Sequence, residues 1–151
     1  MKKTATLLIL LALALGAAPA SASTPLPVTI DSEMDIPSGT GTFIAYGPAV
    51  DAGLFCPSGT VSDHGVVAMG YQSNIRVNLR LMKQLVCDDG SGEIFMMLNV
   101  RIVYSSDETL SNWVLTEGTG AYTRLHGQGK IIATGSGDVV YDHYFGKLHD
   151  D

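Results

Sequence analysis

The stretch Trp113-Val114-Leu115-Thr116-Glu117-Gly118-Thr119-Gly120-Ala121-Tyr122-Thr123-Arg124-Leu125-His126-Gly127-Gln128-Gly129 decides the fold. It opens as a strand, breaks at Gly118-Thr119-Gly120, carries a compact Ala121–His126 segment and re-enters a strand through Gly127-Gln128-Gly129. Glycines at such a break permit backbone conformations closed to other residues, and those at the re-entry let strands bend or approach closely. A phosphate-cradling loop is the competing use of glycine amides. The stretch lacks the Lys-Ser/Thr ending and the helix of a P-loop, and the G-x-G-x-x-G order is absent. It reads as a structural corner.

Upstream lie the two best strands. Asn74–Cys87 carries Ile75, Val77, Leu79, Leu81, Leu85 and Cys87 on one face, with Asn74, Arg76, Asn78 and Arg80 on the other. That period-two alternation is the mark of a half-buried antiparallel strand. Lys83 interrupts its dry face and Met82 blurs its wet one, which predicts a bulge near Met82. Asp88-Asp89-Gly90-Ser91-Gly92 makes a hairpin loop, after which Glu93–Tyr104 sets Ile94, Met96, Leu98, Val100, Ile102 and Tyr104 on one face. Phe95, Met97, Asn99, Arg101 and Val103 occupy the other. Shorter strands are expected at Thr42–Tyr46, Val61–Gly70, Trp113–Glu117, Lys130–Thr134 and Val139–Leu148, and a polar turn over Ser105–Asn112. No segment beyond the first twenty-two residues carries helical periodicity. Short strands alternating with Gly/Pro/Asp turns predict an all-β barrel or sandwich, and barrel closure removes exposed edges.

The first residues read as a secretory signal peptide, 1–22. Lys2 and Lys3 precede an unbroken Leu7–Leu15 apolar run, and Ala20-Ser21-Ala22 supplies a cleavage pattern. A membrane-spanning helix needs about 20 apolar residues, and no cysteine near the cut could take a lipid, so no stable membrane anchor is expected. The mature protein is expected to be extracytoplasmic, either extracellular or periplasmic. Residues 23–40, rich in Pro, Ser and Thr, read as a leader arm with a short strand at Val28–Ile30, and 41–151 as the barrel domain. Without Lys2 and Lys3 the chain has 7 basic against 15 acidic residues, a net charge of −8. Such a surface repels a phosphate backbone, so nucleic acid is not an expected partner. Cys56 and Cys87 are the only two cysteines. In an oxidising compartment without a C-x-x-C spacing, they read as a structural disulfide.

The Glu117-Gly118-Thr119-Gly120-Ala121-Tyr122 and Leu125-His126-Gly127-Gln128-Gly129 segments resemble the Gly-Thr-Gly-aromatic…Gly pattern of the allene oxide cyclase and dirigent superfamily. They look most like its exported bacterial members. Asp142-His143-Tyr144-Phe145-Gly146 is similar to that group's closing strand, and Val50–Thr60 to the exported members. The resemblance covers about Gly41 to Leu148. It implies an antiparallel eight-stranded barrel with an apolar lumen, often trimeric, that binds or steers small apolar molecules.

The candidate site residues come from strand faces that mix apolar and polar groups, as a ligand pocket does. Phe95, Met97, Asn99 and Arg101 lie on one such face, and Tyr141 and His143 on another. If the lumen holds His143 it is a general acid/base suited to neutral pH, with Asn99 and Arg101 as its polar companions. A core or rim histidine and a solvent-paired arginine are the commoner fates of these residue types. Asp63-His64, Asp142-His143 and His149-Asp150-Asp151 lack zinc-site spacing, the Asp88–Glu93 loop lacks the calcium-loop order, and no nucleophile elbow is present. No metal and no cofactor are expected. Three functions follow: an exported barrel binding a small apolar ligand in its lumen, a cyclase or isomerase acting on a small apolar reactive intermediate, or a non-catalytic protein that oligomerises through an outer apolar face.

Overall fold

The computed structural model of the chain describes residues 24–71, 76–103 and 109–151. The expected signal peptide, together with Asn74, Ile75 and Tyr104, lies outside them. Strand alternation carries through as β1 (Leu26–Asp35), β2 (Thr40–Tyr46), β3 (Ser58–Tyr71), β4 (Arg76–Cys87), β5 (Glu93–Val103), β6 (Thr109–Gly118), β7 (Leu125–Ser136) and β8 (Val139–Asp150). A four-residue helix, α1 (Pro48–Asp51), follows β2, and a 3-10 turn covers Gly120–Tyr122. Each strand pairs antiparallel with its sequence neighbour, and β1 closes on β8 to complete one eight-stranded barrel. Among the described residues no helix is long and apolar enough to cross a membrane.

The barrel starts earlier than the expected 41–151 boundary. The segment read as a leader arm is β1, in register with β8 from Leu26↔Leu148 to Asp35↔Val139. Its Val28, Ile30, Ser32 and Met34 are buried, while Asp31, Glu33 and Asp35 face out. Dense acids on its wet face hid the alternation. β6 likewise begins at Thr109, inside the expected polar turn.

The bulge lies across the ladder from its expected place. β4 runs in continuous register with β5 through Met82↔Met97, and the register shifts occur in β3, between Asp63, Val66 and Ala68. Gly65 there has φ 91°, a conformation glycine takes without strain.

One end of the barrel is sealed. Phe43, Ala49, Phe55 and Tyr122 are buried there, with Phe55 ring centroids 6.1 Å from Phe43 and 6.2 Å from Tyr122. The Cys56–Cys87 disulfide is formed at this end, with Cα atoms 6.0 Å apart across 31 residues. Closing a loop of that size stabilises by about 3–4 kcal/mol in the chain-entropy view. The glycine corner completes the seal. Thr119 N–H donates to Glu93 O (2.9 Å), Glu93 N–H to Thr119 Oγ1 (3.0 Å), and Ala121 N–H to Ser91 O (2.9 Å). Gly120 has φ 59°, and a Cβ there would stand 2.2 Å from Ser91 O. Farther along, Gly129 and Gly146 leave room for the buried indole of Trp113; added Cβ atoms would each fall 2.6 Å from it. The glycines thus position a corner and admit a large core side chain.

Candidate functional site

The strand parity that fills the core also carries polar groups inward. Lys83 on β4 lies among the buried inward residues of its strand, and Asp142 lies on the same side of β8 as Tyr144 and Leu148. β4 and β8 are opposite walls, four strands apart in an eight-stranded barrel. Lys83 Nζ meets Asp142 Oδ2 at 2.6 Å, so this ion pair crosses the lumen. The Tyr144 hydroxyl donates to the same carboxylate oxygen at 2.9 Å, Asp63 Oδ1 stands 3.8 Å from the ammonium, and Met34 Sδ lies 3.8 Å from it.

Taking charges out of water is costly, and close opposite charge with good hydrogen bonds is what offsets the cost. Lys83 and Asp142 meet that condition. Asp63 meets it less well: burial raises its carboxyl above the ordinary carboxylate range against the pull of Lys83, and the Asp142 charge adds to the rise. Burial first, then the Asp142 charge and hydrogen bond, push the Tyr144 hydroxyl well above the usual phenol range. It therefore remains a proton donor. Ser32, inward on β1 and registered with Asp142, exerts an opposite influence on Tyr144, yet among the described residues its Oγ meets no partner at hydrogen-bond geometry. Ser111 Oγ is also buried without a partner among the described residues. A buried hydroxyl left unpaired costs about 1–3 kcal/mol, so such groups call for water or a guest.

Beyond this charged floor the barrel changes character. β2 pairs with β3 only over Thr40–Ile44 and Ser58–Ser62, so the rest of β3 overhangs with β4 beside it. Val66 pairs with Leu81 and Met69 with Leu79, and both leucines share the inward parity of Lys83 and Leu85. Val66 and Met69 are 51% and 52% exposed, and Leu79, Leu81 and Val100 are half-buried. Val77, farther along β4 than Leu79, is buried, so the accessible apolar surface is not a fraying strand end. The result is an apolar inner wall above a polar floor whose Asp63 side chain reaches solvent.

The six candidate ligand residues lie elsewhere. Phe95, Met97, Asn99 and Arg101 alternate with the buried Ile94, Met96 and Leu98, and face outward. Phe95 stacks edge-on against His64 with centroids 5.7 Å apart, and Met97 is covered although it faces out. Both faces of early β5 are apolar, so alternation alone could not select the inner one. Tyr141 and His143 are exposed on the outer face of β8, where His143 Nδ1 is 2.5 Å from Asp31 Oδ1. The tyrosine and histidine made the odd positions of β8 look like the inner face; Asp142 takes that place because Lys83 awaits it across the lumen. His143 is therefore not brought together with Asn99 and Arg101, which sit on β5 with β6 and β7 between. The signal for the interior cluster was present as the lysine interrupting a dry face, but its partner lies 59 residues away.

Among the described residues, no cluster of His, Cys, Asp or Glu is arranged to hold a metal ion. His64 bonds Gln84 at 2.7 Å, and His126 pairs with Asp151 at 2.8 Å. No family model, no curated protein and no solved structure matches the chain.

Proposed function

We propose that this chain is an extracytoplasmic binding protein that takes a small, mainly apolar molecule with one polar group at the open half of its barrel. The carrying observation is the partly exposed apolar inner wall beside the overhang, Val66, Met69, Leu79, Leu81 and Val100, set over the Lys83–Asp142–Asp63 floor. Apolar walls bind by area and a few polar groups orient the guest. The Lys83 ammonium favours a guest ending in a carboxylate or other acceptor. Because Lys83 spans the lumen, the guest stops at the floor and the sealed half stays closed. The resemblance of the glycine corner to allene oxide cyclase-like and dirigent-like barrels agrees with this reading, as does the disulfide with an oxidising compartment. A cyclase or isomerase activity draws no support from His143, Asn99 and Arg101, which stand apart.

The test uses dodecanoate and its methyl ester as probes. Dodecanoate is expected to raise the melting temperature and the ester to do so less, and Leu79→Glu is expected to abolish both effects. Equal stabilisation of Leu79→Glu and the unsubstituted protein would overturn the placement.

A second reading rests on its own observation. Ile44, Tyr46, Ile132, Tyr141 and Phe145 are 37–59% exposed on the outer face of β2, β7 and β8. Ile44, Ile132 and Tyr141, with Asp31 and His143, border a depression of about 440 Å³. An apolar face of this kind marks an interaction surface. Self-association through it predicts a concentration-dependent sedimentation coefficient that Ile44→Lys removes.

A further inference from the structure

Across the outer face from β4 to β7, bordering that apolar face where Lys130 pairs with Phe145, the outward residues form an ordered polar row. Arg80 on β4 pairs with Asn99 on β5, Asn99 with Asn112 on β6, and Asn112 with Lys130 on β7. One step along the strands, Asn78 pairs with Arg101. These six residues line a single depression of about 680 Å³ together with the apolar Met69, Leu79 and Val100, and among the described residues neither a carboxylate nor an aromatic ring lines it. Neighbouring strands lie about 4.8 Å apart, so the row from Arg80 to Lys130 spans roughly 14 Å.

The charge placement is unusual for this chain. The sequence has 9 basic residues against 15 acidic ones, yet three cations gather here. Lys83 and Arg124 pair with acids, whereas Arg80, Arg101 and Lys130 make no ion pair among the described residues. All three are exposed. Like charges held together without a counter-charge among the described residues disfavour the free surface, and an anion relieves that.

The asparagines narrow the class of anion. Each carboxamide both donates and accepts, whereas phosphate and sulfate oxygens at neutral pH chiefly accept. A ligand that satisfies both amide functions presents hydroxyl groups, and one that satisfies Arg80 and Arg101 presents carboxylates, which match the guanidinium fork. Nucleic acid fits poorly, because no aromatic side chain among the described residues of the depression could stack a base and the chain carries a net negative charge. We infer that the Arg80–Asn99–Asn112–Lys130 row, with Asn78 and Arg101, is a binding site for an acidic oligosaccharide bearing carboxylates. The same depression is also lined by Met69, Leu79 and Val100, so the sugar chain would lie against the rim of the apolar inner wall.

Calorimetric titration of the intact mature protein tests this, with trimers of galacturonate and of mannuronate, their methyl esters, and inorganic phosphate as probes. At least one uronate trimer is expected to bind, more weakly as salt rises, while the neutral esters and phosphate do not. Arg80→Gln and Asn112→Leu are each expected to weaken binding by about tenfold. Neither should move the melting temperature, since both side chains are exposed. Failure of both trimers, equal binding of phosphate, or unchanged affinity in both variants would overturn the assignment.

Discussion

The two halves of this barrel are built from the same strands and differ in what their inward residues meet. Toward the glycine corner, Phe43, Ile94, Met96, Trp113 and Leu148 are all buried, and α1, the disulfide and the corner close the end. Past the Lys83–Asp142 pair, Val66, Met69, Leu79, Leu81 and Val100 carry the same inward parity but keep accessible surface. One half is a core and the other is a wall without contents. Apolar side chains stabilise a fold only when covered, so the uncovered wall contributes little to stability and is available for a guest.

Substitutions can break this contrast directly. Trp113→Ala in the sealed half is expected to cost about 3–5 kcal/mol in denaturant unfolding, because Gly129 and Gly146 leave a deep space only the indole fills. Asp142→Ala is expected to cost a similar 3–5 kcal/mol by stranding a buried ammonium, while the double change Lys83→Met/Asp142→Leu should be near neutral. A double variant as unstable as the single one would show that the charges themselves hold the two walls together. Leu79→Ala is expected to cost less than about 1.5 kcal/mol, well below a core leucine. A loss matching that at Leu85→Ala would mean the wall is packed after all.

The smallest effect concerns pH. With its folded pKa raised, Asp63 binds its proton more tightly in the folded protein than in the unfolded chain. Its contribution to stability is therefore lost as pH rises from the ordinary carboxylate value through the raised one. Asp63→Asn should flatten that part of the stability profile, measured by urea unfolding across the acid range. Tyr144 acts in the same sense at alkaline pH: stability falls above the usual phenol value, and its ultraviolet ionisation should appear only on unfolding.

The sequence made the barrel legible through local signals: alternation in β4 and β5, the glycine corner and the cysteine pair. β1 was obscured because acids crowd its wet face. The site was less legible for a geometric reason. Period-two alternation separates two faces but does not say which is inside, and on β5 and β8 the aromatic and mixed face looked like the inner one. The inner face was settled by long-range partners, Lys83 with Asp142 and Trp113 with the two glycines. No local pattern reports such partners.

The five methionines of the described chain sample both halves and the outside. Met69 is on the open wall, Met34 beside Lys83, Met96 in the sealed core, and Met82 and Met97 on the outer face. Methyl-labelled methionine NMR during a dodecanoate titration therefore tests the central claim directly. Saturable shifts at Met69 and Met34, with Met96, Met82 and Met97 unmoved, are the predicted result. Shifts led by Met82 and Met97, or no saturable shift at Met69, would contradict it.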